Sequence, residues 1–253
     1  MSSASSELLE LERLTLATSP ALREVWYDDW VLRASGTDTR RANSVTQFGP
    51  GVLPLADKIG HCERWYAEAM QPTTFRLTSA LSPHALDTAL EARGYAVVTP
   101  SHVMCANLDG GHAPQSLVRR DEHIVARTPT EGIADLHGLK GSDPALVLRD
   151  QARQSRWTQP EQHLAFMEDG EVRACGLVRV DGQWAGVFNM RTAAAHRGQG
   201  KAGALVSALL DWAWKQGARR AFLQVEQANA AAVRLYRRSG FSPRYDYHYR
   251  VQP

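Results

Sequence analysis

The chain has 253 residues, enough for one large domain or two of ordinary size. It is 43% hydrophobic and 22% charged, the composition of a globular protein, and a net charge of +2 excludes the strong basic footprint of a nucleic-acid or anionic-membrane binder. No apolar run nears the roughly 18 residues of a spanning helix, the opening Met1-Ser2-Ser3-Ala4-Ser5-Ser6 lacks the regions of a secretory leader, and Cys62, Cys105 and Cys175 have no metal-ligand spacing, so the expectation is a cytoplasmic protein with reduced thiols and no metal.

Leu8, Leu11 and Leu14 recur at near-helical spacing between a serine cluster and Pro20, which predicts a helix over 8–16. Residues 26–34 and 42–48 read as strands, and Gly49-Pro50-Gly51 separates them from a helix over 61–70. A short strand at 75–78, a helix over 86–93 closed by Gly94, and a strand over 95–108 complete the first half. The turn formers Asp109-Gly110-Gly111-His112-Ala113-Pro114 divide the chain into a first domain (1–108), a linker (109–120) and a second domain (121–253). The second half opens with a strand at 123–127 and helices at 131–139 and 145–155. Strands at 164–168, 174–180 and 184–192 follow, joined at Asp169-Gly170 and Asp181-Gly182, both hairpin signals because such turns need positive φ. After a glycine-rich stretch come a helix with the stripe Leu205, Ala208, Leu209, Trp212 and Ala213, a strand over 221–226, a helix over 229–238 closed by Gly240, and a last strand in which Tyr245, Tyr247 and Tyr249 alternate with polar residues.

The chemistry points to Arg197-Gly198-Gln199-Gly200-Lys201-Ala202-Gly203, between a strand and a helix. A helix N-terminus offers unpaired N–H groups and a positive dipole end, glycines let a ligand approach the backbone, and Arg197 and Lys201 add charge, so a pyrophosphate is expected to dock here. Three readings compete. A phosphate-binding loop of the G-x-x-x-x-G-K-[ST] kind fails, because Ala195 stands at the first glycine and Ala202 at the hydroxyl position. A dinucleotide-binding turn fits Gly198-x-Gly200-x-x-Gly203, with Glu226 placed for a ribose. It suits the context badly, because the loop follows two hairpins and only 50 residues remain after Gly203. The third reading is an acyl-CoA pyrophosphate loop.

Here the residues resemble the GNAT superfamily of acyl-CoA-dependent N-acyltransferases. Its [RQ]-x-x-G-x-[GA] signature is matched by Arg197-Gly198-Gln199-Gly200-Lys201-Ala202, and its N-x-x-A-x-x-L-Y-x-x-x-G-F pattern by Asn229, Ala232, Leu235-Tyr236 and Gly240-Phe241. The resemblance covers about residues 124–250 and implies an α+β fold, a mixed and mostly antiparallel sheet flanked by helices. It also implies acetyl-CoA as cosubstrate. Backbone groups of 198–203 would take the pyrophosphate, Met190 and Thr192 would pair with the pantetheine arm, Asn229 would contact that arm, and Tyr236 would bind there and act as general acid. Of Glu226, Asn189 and Arg191 near the site, only Glu226 can take a proton, with His196 and His248 as weaker candidates. The implied reaction is direct acetyl transfer, in a ternary complex, to the primary amine of a small molecule. Acetylation of a protein N-terminus or lysine, and a non-catalytic acyl-CoA-binding module, stay open, as does a homodimer.

The first half reads as a degenerate copy. Phe75-Arg76-Leu77, Leu86, Leu90 and Gly94-Tyr95 echo Phe222-Leu223, Leu235 and Gly240-Phe241. Where a second anion loop would fall stands Val52-Leu53-Pro54-Leu55-Ala56-Asp57-Lys58, in which Pro54 and Asp57 suit phosphate poorly. The stretches Asp28-Asp29-Trp30 and Arg40-Arg41-Ala42-Asn43-Ser44-Val45 carry most of this half's chemistry. Asp28-Asp29 reads first as a solvated turn. Its functional alternative is a carboxylate that attracts an amine, with Trp30 and Asn43 lining the same cleft.

Overall fold

The structure, a computed structural model, describes residues 3–79, 81–108 and 123–253. The expected linker, 109–120, lies outside the described residues. The chain begins with helix α1 (Ser3–Ala17), then β1 (Arg23–Tyr27), β2 (Trp30–Ala34), β3 (Val45–Gln47), α2 (Leu55–Glu68), β4 (Thr74–Thr78), α3 (His84–Ala92) and β5 (Ala96–Asn107). The second half runs β6 (Ile124–Arg127), α4 (Pro129–Lys140), α5 (Pro144–Gln154), β7 (Glu161–Glu168), β8 (Glu171–Asp181), β9 (Trp184–Thr192), α6 (Lys201–Lys215), β10 (Arg220–Glu226), α7 (Ala230–Arg238) and β11 (Ser242–Val251).

Several elements differ from expectation: α1 begins at Ser3, ahead of the expected 8, and of the strand expected over 42–48 only Val45–Gln47 forms, after a 3₁₀ turn at Arg40–Ala42. The run 26–34 is broken into a hairpin at Asp28 and Asp29, which take φ of 45° and 65° and form the two-residue turn between β1 and β2. Helix α2 begins at Leu55, ahead of the expected 61, because Pro54 stands at its N-cap, where a missing N–H costs nothing, instead of interrupting it.

The strands form one sheet in the order β1-β2-β3-β4-β11-β5-β10-β9-β8-β7-β6. Most neighbours are antiparallel, and the parallel pairs are β3/β4 and β9/β10. Each parallel pair encloses one helix, α2 or α6, and is followed by a helix and a strand: α3 and β5 in the first half, α7 and β11 in the second. The two halves exchange these last strands. β11 pairs with β4, and β5 pairs with β10, so the centre of the sheet interleaves both halves.

Three apolar clusters hold the layers. Trp30, Leu32, Ile59, Tyr66, Phe75, Leu86 and Leu90 pack the first half. Leu205, Leu209, Leu223, Val225 and Tyr236 pack α6 and α7 onto the second. On another face, Leu11 of α1 meets Val103, Trp184, Phe188, Phe222 and the three tyrosines of β11, so their alternation buries one side of that strand. Buried polar groups join α1 to the sheet: Arg76 donates to Glu12, as does the Tyr245 hydroxyl, and Arg179 donates to the Thr18 carbonyl at 2.8 Å.

Candidate functional site

The site begins where the sheet opens. β9 and β10 pair only from Arg220↔Trp184 to Leu223↔Val187, and beyond that point the two parallel strands part. On its other side β9 bulges. Leu177 faces Phe188 and Cys175 faces Arg191, so Asn189 and Met190 together stand opposite Gly176. Asn189 takes φ of 56°, and a methyl group on Gly176 would overlap the Met190 sulfur, so the bulge needs a glycine across from it. The result is a stretch of β9 backbone turned out of the ladder at the mouth of the opening.

The chain then passes through a 3₁₀ turn (Ala194–His196) into the glycine loop. Gly198 and Gly200 take φ of 75° and 82°, and a Cβ on either would meet nothing within 4 Å, so these glycines serve backbone conformation and face open space. Helix α6 starts at Lys201 with no side-chain cap. Thr128, Asp143 and Asn229 cap α4, α5 and α7, whereas α2 and α3, which begin after Pro54 and Pro83, lack a side-chain cap as α6 does. The first N–H groups of α6 are therefore left to an external acceptor. At Gly203 a Cβ would make an ordinary van der Waals contact with the Leu235 side chain at 3.5 Å, so space does not require glycine there. Ala202 continues the first turn, and the exposed side chains of Arg197 and Gln199 fold back toward the Thr192 and Ala195 carbonyls at 3.5 and 3.3 Å.

Lys201 departs from expectation. Its side chain is buried, with Nζ 3.0 Å from a Glu168 carboxylate oxygen and 4.7 Å over the Phe166 ring. Its hydrogen bond holds the Glu168 carboxyl below its usual range. The positive charge expected at the loop is thus spent on Glu168, and Lys201 offers the loop its backbone N–H. Arg197 remains the exposed cation there.

Asn229 caps α7 by accepting from the Ala232 N–H at 3.1 Å. Two turns on, Tyr236 is buried among Leu223, Val225 and the α6 side chains, with its ring edge-on to Phe241 at 6.1 Å. Burial pushes its phenol up to about 12, with no charged neighbour contributing. Glu226 is exposed at the end of β10, opposite Ser101 of β5. Phe222 belongs to the opposite face from Leu223 and Val225, so strand alternation places Gln224 and Glu226 on the face away from Tyr236. Tyr236 and Glu226 thus approach the opened strands from the two sides of the sheet. The Glu226 side holds a cleft of about 230 Å³ lined by Arg40, Arg41, Thr99, Gln224, Glu226 and Tyr247, among others, and so built by both halves.

The three acceptor-side residues expected from the first half do not face this cleft. Trp30 is 1% exposed in the first-half core, with Lys58 Nζ 4.2 Å over its ring. Asp28 anchors the loop before α2, accepting from the N–H groups of Val52 and Leu53 at 2.8 and 3.1 Å and pairing with the buried Lys58 at 2.8 Å. Asn43 accepts from the Ser35 and Gly36 N–H groups and donates to the Thr37 and Thr39 carbonyls, so its amide is fully used in shaping its own loop. The residues of that stretch which do reach the cleft are Arg40 and Arg41, with Thr99, Gln224 and Tyr247 joining them from three strands. No motif marked these residues; the paired arginines were the one signal.

The family described as "Probable histone acetyltransferase Rv0428c C-terminal" matches residues 5–250. The protein named uncharacterized N-acetyltransferase YobR, from Bacillus subtilis (strain 168), is 31% identical over 262 residues, covering 97% of this chain and 99% of YobR. A GCN5-related N-acetyltransferase from Kribbella flavida superposes with a TM-score of 0.71 at 18% identity, covering 100% of this chain and 96% of that one. A tandem GNAT protein from the clavulanic acid biosynthesis pathway superposes with a TM-score of 0.62 at 14% identity, covering 88% of this chain and 78% of that one. At these identities the two superpositions bear on the fold.

Proposed function

The chain belongs to the GNAT acetyltransferases, in the Rv0428c C-terminal family, and from that premise we propose that it transfers an acetyl group from acetyl-CoA to the primary amine of a small molecule by direct attack in a ternary complex. The observation that carries this reading is the junction of three features: the parting of β9 and β10, the bulge at Asn189–Met190, and the uncapped start of α6.

Each step falls to groups already in place. Backbone N–H groups of 198–203 would hold the pyrophosphate, each charge-assisted hydrogen bond being worth about 1.5–3 kcal/mol. Met190 and Thr192 would extend the sheet pattern to the pantetheine arm, and the Met190 N–H would polarise the thioester carbonyl. Glu226 would take a proton from the amine. The amine nitrogen then attacks the carbonyl carbon, the C–N bond forms, the C–S bond breaks, and Tyr236 gives its proton to the departing sulfur. Burial raises the Tyr236 phenol to about 12, which keeps it protonated at neutral pH.

The reading favours a small acceptor because the cleft beside Glu226 holds about 230 Å³. A histone-type lysine is the competing acceptor, suggested by the family description. We assign the reaction to the cytoplasm because all three cysteines are free thiols and no described helix is long and apolar enough to cross a membrane. The test is thiol release from acetyl-CoA with a panel of small primary amines beside a lysine-bearing histone-tail peptide. Faster turnover of small amines is expected. Turnover of the peptide alone would move the acceptor to proteins, and no release with any amine would refute the enzyme reading.

A further inference from the structure

The cleft beside Glu226 is lined by polar groups that lack partners. Arg41 Nη1 donates to Gln224 Oε1 at 3.3 Å, and the Tyr247 hydroxyl donates to the same oxygen at 3.1 Å. That oxygen then has no lone pair left. Arg41 Nε, Gln224 Nε2 and Thr99 Oγ1 are all buried with no hydrogen-bond partner among the described residues. A buried donor without a partner forfeits its hydration, and three of the fifteen such polar atoms among the described residues belong to side chains that line this one small cleft. Thr99 also takes φ of 47°, a conformation a β-branched residue adopts only under constraint. The guanidinium of Arg41 lies 5.5 Å from the centre of the Phe188 ring, at the point where β9 leaves β10.

The charges agree with the donors. Lys140 is paired with Asp38 at the rim, which leaves Arg40 and Arg41 facing Glu226 as the one unpaired carboxylate among the lining residues described. Every unused group but Glu226 can give a hydrogen bond, and Glu226 sits at the place assigned to the amine. Arginine beside amide and hydroxyl donors is the donor set that suits a carboxylate.

We infer that the acceptor is a small amino carboxylate, held by Arg41, Gln224 and Thr99 through its carboxylate while its amine faces Glu226. This deepens the reading above and rests on it for the identity of the cleft. The volume of about 230 Å³ suits a molecule of amino-acid size.

The experiment uses the proteinogenic amino acids, each beside its carboxamide and its decarboxylated amine. Binding is read as stabilisation of the CoA-loaded protein, and turnover as thiol release from acetyl-CoA. The free acids should bind, and the best of them should exceed its carboxamide in kcat/KM by on the order of 10- to 100-fold, the scale of one charge-assisted hydrogen bond. Arg41→Gln should raise KM for that acid by a similar factor and that for its carboxamide much less, because the carboxamide carries no charge. Gln224→Glu, which sets a competing carboxylate beside Arg41 at nearly constant volume, should do the same even if Arg41→Gln fails to fold. Acids and carboxamides that behave alike in the wild type, variants that affect both alike, or a panel in which no acid binds would overturn the inference. Acids that bind through Arg41 without thiol release would spare this subsite and sink the catalytic reading. Amines acetylated regardless of a carboxylate would do the reverse.

Discussion

Replacing Tyr236 by phenylalanine separates chemistry from packing. The ring is 7% exposed and packs edge-on to Phe241 at 6.1 Å, contacts that phenylalanine keeps. Because burial alone raises its pKa, to about 12, the hydroxyl is engaged with no charged group in the folded protein. Removing a hydroxyl with no partner should cost little stability, within about 0.5 kcal/mol, or a shift of roughly 1–2 °C in Tm for a chain of this length. The chemical loss should be larger. A positioned general acid is worth roughly 10²- to 10⁴-fold, about 3–5 kcal/mol of barrier. The assay is thiol release at varied acetyl-CoA, beside a melting curve and a direct titration with CoA. Tyr236→Phe should lower kcat at least about 100-fold, with Tm and CoA affinity near wild type. The pH profile sharpens this. A phenol at about 12 stays protonated through the assay range, so the wild type should show no alkaline loss of kcat below about pH 10 from this group. An unchanged kcat would refute the role, and a large fall in Tm would show that the hydroxyl serves structure.

Gly200 takes φ of 82° where α6 begins, so Gly200→Val should weaken acetyl-CoA binding about 10-fold or more, read as Kd by titration, with a small loss in Tm; unaltered binding would mean the loop does not hold the pyrophosphate. Glu226→Gln should lower kcat about 100-fold at neutral pH with acetyl-CoA affinity retained, and much of the loss should return near pH 10, where amines of ordinary pKa are already deprotonated. A loss that persists there would assign Glu226 to structure. The Asp28 carboxyl is lowered to about 2, first by its hydrogen bond to Lys58. A group whose folded pKa is depressed stabilises above its unfolded value and loses that contribution as pH falls, here between about pH 4 and pH 2. Wild type should therefore melt above Asp28→Asn at pH 7, and the gap should narrow at pH 2.5, whereas a constant gap would show that the charge is not the cause.

Local backbone conformation was legible in the sequence and distant pairing was not. The turn into α6 and the end of α7 could be read because glycine marks a positive φ within a few residues, and Gly198, Gly200 and Gly240 take 75°, 82° and 89°. The bulge at Asn189 and Met190 was hidden because the residue that permits it, Gly176, lies on a neighbouring strand. Asp28, Trp30 and Asn43 stood out by residue type, but their partners Val52, Lys58 and Ser35 decide their roles, and no local pattern connects them. Asp28-Asp29 read as a turn and is one, but the break it makes in the strand expected over 26–34 carried no glycine signal, because two aspartates adopt the positive φ usually left to glycine. The placing of β11 between β4 and β5 depends on pairing across the whole chain.

That exchange of strands explains why the two halves do unlike work. Each half leads from a short parallel strand into a helix, the geometry that offers N–H groups to an anion. In the second half the offer is open, since nothing caps α6. In the first half α2 is equally uncapped behind Pro54, but the loop before it is filled from within: Val52 and Leu53 donate to Asp28, Gly51 donates to Asp29, and Lys58 is buried against Asp28. A Cβ at Gly51 would overlap the Asp28 carboxylate, so that place is full. Freed from holding a phosphate, the first half contributes instead through its last strand. β5 lies along β10 and sets Ser101 opposite Glu226, while Arg41 reaches across to Gln224. The half whose loop is filled from within thus supplies the wall against which an acceptor would lie. The cleft then exists only where both halves are joined in one sheet, so loosening the β5–β10 pairing should remove acceptor binding while the loop at 197–203 still takes the cosubstrate.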